Sequence, residues 1–99
     1  MTSPNVGAYN QATTTVTTAP TLIALCLGSG TGGILVQNNG SVPIFLGGSN
    51  VTSSGATQGV SVAGSATLYV PTVGGTANTL YAVTDSSTAS VSVLFAAGA

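Results

Sequence analysis

The sequence predicts an all-β fold, a single antiparallel β-sandwich of about seven or eight short strands. Three observations support this prediction. Short β-branched stretches recur between turns, apolar and polar residues alternate within several of them, and no ten-residue window combines helical periodicity with capping residues. The 99 residues are the size of one domain with one core. Jelly-roll and immunoglobulin-like strand orders both remain open.

The chain divides into an arm and a sandwich. Residues 1–12 carry few large apolar side chains and include Pro4 and Gly7, which predicts an extended N-terminal arm. Residues 13–99 are predicted to form the β-sandwich domain. Its predicted strands are Thr13–Thr18, Thr21–Leu27, Gly33–Asn38, Val42–Leu46, Gly59–Val62, Thr67–Val70, Leu80–Thr84 and Ala89–Phe95.

Three features predict turns or strand positions. Asn39-Gly40 lies between two apolar stretches and predicts a type I′ hairpin turn, because both central residues of that turn need positive φ. Pro43 cannot donate a ladder hydrogen bond, so its strand is expected to lie at a sheet edge or to begin there. The run from Asp85 to Ser87 predicts the turn that joins the last two strands.

The charge composition excludes the common catalytic designs. The chain contains no Lys, Arg or His, and Asp85 is its one acidic side chain. A Ser or Cys nucleophile lacks a neighbouring base, and glycoside hydrolysis needs two carboxylates. We therefore expect no enzymatic activity and no catalytic residue.

Cofactor, metal and nucleic-acid binding are not expected either. The segment Gly28–Gly33 matches the dinucleotide fingerprint, but a strand follows it where a helix is needed, and no acidic residue lies about 20 positions downstream. One thiol and one carboxylate cannot fill a zinc site, and calcium sites usually gather several carboxylates. Without Lys and Arg there is little to bind phosphates.

The remaining chemistry-bearing side chains have structural interpretations. Cys26 lies in an apolar run and is interpreted as a small buried hydrophobe, because a single cysteine cannot form an internal disulfide. The N-terminus lacks the pattern of a signal peptide and no stretch has the length of a membrane span, so we expect synthesis in the cytoplasm and no membrane association. The aromatic residues are assigned to the core or a subunit interface rather than to a sugar-binding platform: Tyr9, Phe45, Tyr69, Tyr81 and Phe95.

One segment resembles a known group of proteins. Residues 34–52, ILVQNNGSVPIFLGGSNVT, are followed by a Gly-led strand, Gly59–Val62, and an Ala-Gly turn at residues 63–64. With the ending LYAV and ASVSVL at residues 80–83 and 89–94, this pattern is similar to that of small structural proteins of tailed bacteriophages. The resemblance implies a β-sandwich that belongs to a virion.

We therefore expect a virion structural protein, a capsid decoration or minor capsid protein that binds the major capsid protein or another virion protein as a homo-oligomer. The alternative is a neck, tail or fibre component that recognises host glycans through loops such as Gly28–Gly33 or Gly47–Gly55. A third possibility is a self-assembling fibre, because uncharged strand edges do not block strand addition.

Overall fold

The computed structural model of the chain describes residues 9–26, 32–72 and 77–96. These residues form eight β-strands, one for each predicted strand, and a single 3-10 turn at Gly55–Thr57; they include no α-helix. The strands are β1 Tyr9–Val16, β2 Thr21–Cys26, β3 Gly32–Asn38, β4 Ile44–Gly47, β5 Val60–Val62, β6 Thr67–Thr72, β7 Asn78–Thr84 and β8 Ala89–Ala96.

Two four-stranded antiparallel sheets build the sandwich, so the predicted fold class is confirmed. The first sheet has the order β1-β8-β3-β6 and the second has the order β2-β7-β4-β5. The pairs are nested along the chain: the first strand pairs with the last, the second with the seventh, the third with the sixth and the fourth with the fifth. This is the arrangement of an eight-stranded jelly roll, which decides between the two strand orders left open by the sequence.

The core lies between the sheets and is built by alternation. In β8, Val91 and Val93 point inward, and in β3, Ile34 and Val36 do the same from the neighbouring position. The second sheet faces them with the buried side chains of β4 and β7, including Ile44. Successive residues of a strand point to opposite faces, so apolar residues at every second position place one face of each strand in the core.

The hairpin predicted at Asn39-Gly40 is wrong. Strand β3 belongs to the first sheet and β4 to the second, so the chain crosses between sheets at this point. Neither residue has a positive φ. Gly40 is needed for space, because a Cβ there would lie 2.9 Å from the Cβ of Ala89. Asn-Gly is typical of a type I′ turn, but here its glycine allows the backbone at residue 40 to lie close to Ala89.

The side chain of Asn38 holds this crossing. Asn38 is fully buried at the end of β3, and its Nδ2 donates hydrogen bonds to the carbonyl oxygens of Val42 at 2.8 Å and Val62 at 3.1 Å. Its Oδ1 accepts a hydrogen bond of 2.9 Å from the backbone N–H of Gly40. Val62 ends β5 in the second sheet, so the Asn38 amide links the first sheet to the second. The other two backbone groups that it binds, at Gly40 and Val42, lie in the crossing itself.

The other turn predictions fit the structure. Strand β4 begins at Ile44, directly after Pro43, and lies inside the second sheet, so the proline marks the start of a strand rather than an edge. The turn after β7 carries the chain back to the first sheet. There Ser87 has a φ of 64°, and its carbonyl oxygen accepts a 2.7 Å hydrogen bond from the Thr84 hydroxyl.

Strand β1 begins at Tyr9, four residues before the predicted start. Residues 9–12, the last part of the expected arm, pair with β8 in an unbroken register that sets Tyr9 opposite Ala96. The side chains of residues 9–12 are all exposed, so apolar and polar residues do not alternate there. Only the backbone hydrogen bonds to β8 define this part of the strand. Residues 1–8 of the expected arm lie outside the described residues.

Replacing Asn38 with aspartate tests the crossing. The substitution keeps the shape of the side chain but removes both donors and sets a carboxylate against two carbonyl oxygens in a buried site. We expect the free energy of unfolding to fall by about 3 kcal/mol. Urea unfolding measures it, with Asn39→Asp at the exposed neighbour as control. Equal stability of the two variants would contradict the role given to Asn38.

Candidate functional site

The chain itself covers the part of the second sheet's outer face that β4 and β7 form, whereas Leu22 and Leu25 on β2 remain 43% and 46% exposed. The loop that joins β4 to β5 folds back over the covered part and buries Val51 against Phe45 and Val83, with Tyr81 packed at the side. Two glycines make room for Val51: a Cβ at Gly47 would lie 2.8 Å from its Cγ2, and a Cβ at Gly59 would meet both that methyl and the Leu46 carbonyl. This face is therefore not available to a partner beneath the loop.

Internal hydrogen bonds hold the covering loop in shape. The N–H of Thr52 donates to the carbonyl of Thr57, and the N–H of Gly59 donates to the carbonyl of Thr52, both at 3.0 Å. The Thr52 hydroxyl donates to the Ser54 carbonyl at 2.8 Å and lies 2.8 Å from the Thr57 hydroxyl. The loop is thus a compact cap, and the Gly-Gly-Ser-Asn-Val segment of the sequence is its entry.

The outer face of the first sheet is uncovered by any described residue. The strand registers place its outward side chains in rows that cross all four strands. One row is apolar over three strands, with Leu94 39%, Leu35 41% and Tyr69 57% exposed, and Gln11 completes it on β1. The Tyr69 ring lies over Gly33, since a Cβ there would collide with it. Three large apolar side chains side by side form an exposed patch of the kind that binds partners.

A row of hydroxyl and amide groups lies beside the apolar row: Thr13, Ser92, Gln37 and Thr67. The hydroxyls of Thr13 and Ser92 are 3.1 Å apart, and Asn39 donates a 2.8 Å hydrogen bond to the Ser92 Oγ. A shallow depression of about 380 Å³ lies between the two rows. The face therefore offers apolar contact and uncharged hydrogen-bonding groups together. We take this face as the candidate binding surface.

A second, narrower cleft opens between the sheets at the edge formed by β5 and β6. Its volume is about 340 Å³, and it is lined almost entirely by apolar side chains, among them Val60, Leu68 and Leu80. Val60 pairs with the buried Leu46 yet is 62% exposed, because β5 is the last described strand on that side of the second sheet. The cleft exposes the side of the core.

The titratable groups do not gather at either surface. Asp85 is exposed in the turn after β7, and the described residues include no group of three or more His, Cys, Asp or Glu side chains that could hold a metal ion. Cys26 is half-buried at the end of β2, where loss of solvent raises the pKa of its thiol. A raised pKa leaves less thiolate near neutral pH. Cys26 packs against the core as a small apolar side chain but is only partly buried, whereas the sequence predicted a buried one.

The predicted aromatic and glycine-rich features separate in the structure. Phe45 and Tyr81 pack under the loop and Phe95 packs against the core, whereas Tyr9 and Tyr69 are exposed. Most of the Gly28–Gly33 segment lies outside the described residues. Its last two residues begin strand β3, so the helix of a dinucleotide site does not follow them.

Sequence reasoning did not single out the uncovered face. A signal was present in Ile34-Leu35-Val36 and Val93-Leu94-Phe95, where apolar residues follow one another without alternation. In a strand, such a run makes both faces apolar, so Leu35 and Leu94 must point away from the core that their neighbours enter.

Comparison with known proteins gives no relative: no family model, curated protein or solved structure matches the chain. In the part of the chain that the structure describes, no helix has the length and hydropathy required to cross a membrane.

Truncating Val51 to alanine tests the covering loop. The change removes two methyl groups from a site that is 2% exposed, and we expect the free energy of unfolding to fall by about 2 kcal/mol. The matched control is Val60→Ala, which removes the same atoms from an exposed site and is expected to cost less than about 0.5 kcal/mol. Chemical denaturation measures both. A Val51 variant as stable as the control would mean that the loop does not cover this face.

Proposed function

We propose that the protein is a virion structural protein, a capsid decoration or minor capsid protein that attaches to the shell as a homo-oligomer. The observation that carries the proposal is the contrast between the two sheets. The chain's own loop covers the β4 and β7 part of the second sheet's outer face, whereas no described residue covers the apolar and hydroxyl-rich outer face of the first sheet. That open face is the proposed contact with the shell.

The jelly-roll architecture is compatible with a role in a virion. Jelly rolls are frequent in capsid proteins, but one fold serves many functions. More specific support comes from residues 34–52, which resemble phage structural proteins. These residues form β3, the Asn38 crossing, β4 and the start of the covering loop, so the pattern corresponds to a continuous part of the fold.

The charge composition supports attachment through apolar contact and neutral hydrogen bonds. With no Lys, Arg or His and with Asp85 far out in a turn, the chain has almost no side chains for ion pairs. Few charges also give little repulsion between copies in solution, which suits a protein that ends in an assembly. Its partners are then shell proteins and further copies of itself.

One observation favours the alternative of a neck, tail or fibre component that recognises host glycans. The covering loop presents exposed hydroxyl and amide side chains at Ser49, Asn50, Ser54, Thr57 and Gln58. Neutral hydrogen-bonding groups of this kind suit sugars. The position of the protein on the particle separates the alternative from the main proposal.

Immunogold labelling of purified particles tests the proposal. Particles are incubated with an antibody against this chain, and label is counted on the head, on the neck and tail, and on the background grid. We expect label on the head. Label confined to the tail would support the glycan-binding alternative, and label at background level on intact and opened particles would contradict a role in the virion.

A pair of leucine variants tests the proposed contact face. Leu35→Asn changes the open face, whereas Leu22→Asn changes a leucine of similar exposure, 43%, on the second sheet. We expect Leu35→Asn to lose most of the label on the particles and Leu22→Asn to keep it.

Attachment of the unchanged protein should persist from low to molar salt, because there are few charges to screen. Equal loss in both variants, or release of the unchanged protein by salt, would contradict this contact.

A further inference from the structure

The four edge strands of the sandwich differ in how they are protected against strand addition. Native sheets protect their edges with short strands, bulges, prolines or charged residues. Here β5 has only three residues, β6 contains Pro71, and β2 has a bulge between Leu22 and Ala24. The fourth edge, β1, has none of these.

Strand β1 is also the longest of the four edges. It runs over eight residues, Tyr9–Val16, and pairs with β8 at every position without a break. From Tyr9 to Thr13 every side chain is exposed, and the free side of β1 pairs with no other described strand. This is the geometry to which an extended strand adds.

We propose that β1 is a dimer interface, at which it pairs antiparallel with β1 of a second copy. The proposal deepens the homo-oligomer part of the proposed function and rests on it. It identifies the surface and the partner: two four-stranded first sheets join into one eight-stranded sheet about a twofold axis. Because the contact uses the same strand in both copies, it closes on itself and leaves no unprotected edge for a third copy among the described strands.

The sequence of β1 suits its own copy as partner. Odd-numbered residues of β1 point outward, since Gln11 lies opposite Leu94 and Thr13 opposite Ser92. Joining two sheets with both outer faces on the same side requires outward residues to oppose outward residues. A register that sets Thr13 opposite its own counterpart does this, and it sets Gln11 opposite Thr15.

Such a register brings together side chains that pair favourably. Facing threonines on neighbouring strands interact well, and no charge in β1 opposes the approach of an identical strand. The pairing also joins the row of Thr13, Ser92, Gln37 and Thr67 to the same row of a second copy. The open face is thereby doubled in width, which increases the area that can bind the shell.

Sedimentation velocity of the full chain tests the interface with two lysine variants. Thr13→Lys sets two positive charges opposite each other in the dimer. Thr67→Lys adds the same charge to the same row at the far edge of the first sheet. We expect dimers for the unchanged protein and for Thr67→Lys. For Thr13→Lys we expect a dimer dissociation constant raised by about tenfold or more, with the defect reduced in high salt.

Two further variants keep the test decisive if the lysine affects folding. Mixing T13K with T13D should restore a dimer, because unlike charges then face each other. In a C26S background, T13C should form a disulfide-linked dimer on air oxidation, and T67C should not.

Three results would overturn the interface: a monomer at every soluble concentration, equal weakening by T13K and T67K, or growth past the dimer into filaments. If the protein is a dimer but its antibody labels no particle, the interface stands and the virion role is contradicted. If particles are labelled but the protein is a monomer, the virion role stands and the interface is contradicted.

Discussion

The buried amide of Asn38 is the interaction on which the two-sheet arrangement depends most. It binds the carbonyls of Val42 and Val62 and the N–H of Gly40, so that the end of β3, the crossing to the second sheet and the end of β5 meet at one side chain. The backbone there is packed so closely that a Cβ at Gly64 would lie 2.8 Å from the Ser41 carbonyl oxygen. An apolar residue at position 38 would remove a hydrogen-bond partner from three backbone groups, and the bond to the Val62 carbonyl is the buried one of the three.

Once the crossing is set, the two sheets acquire different outer faces. Strands β4 and β5 are consecutive and lie side by side in the second sheet, and the loop between them has only that sheet to fold onto. It places Val51 over Phe45 and Val83 and protects the apolar side chains there. Among its described strands the first sheet has no hairpin between consecutive strands, and no described loop covers Leu35, Leu94 and Tyr69. The proposed attachment to a shell uses the face that this topology leaves open.

The sequence predicted the eight strands and the sandwich because both depend on local information. Alternation such as Val91-Ser92-Val93 and turn residues such as those after Thr84 are visible within a few positions. The strand order was not predictable in the same way. Asn39-Gly40 satisfies the local rule for a hairpin, but the buried amide of Asn38 and the closeness of Ala89 make it a crossing instead. Tertiary contact overrode the local preference.

The candidate surface was predicted less completely than the fold, for a related reason. An apolar run such as Ile34-Leu35-Val36 indicates two apolar faces, but the sequence does not say which of them a loop will cover. The start of β1 escaped prediction because the side chains of residues 9–12 are all exposed and leave no pattern to detect. The expectation of no catalytic centre rests on composition alone. Locating the surface needed the register of four strands.

In the proposed attachment, the open face of the first sheet contacts the shell and the covering loop of the second sheet faces away from it. A cryo-electron microscopy reconstruction of particles that carry the protein tests this most directly. We expect density in which Leu35 and Tyr69 lie against a shell subunit and the loop around Thr52 points toward solvent. Density with that loop against the shell and the first sheet exposed would contradict it.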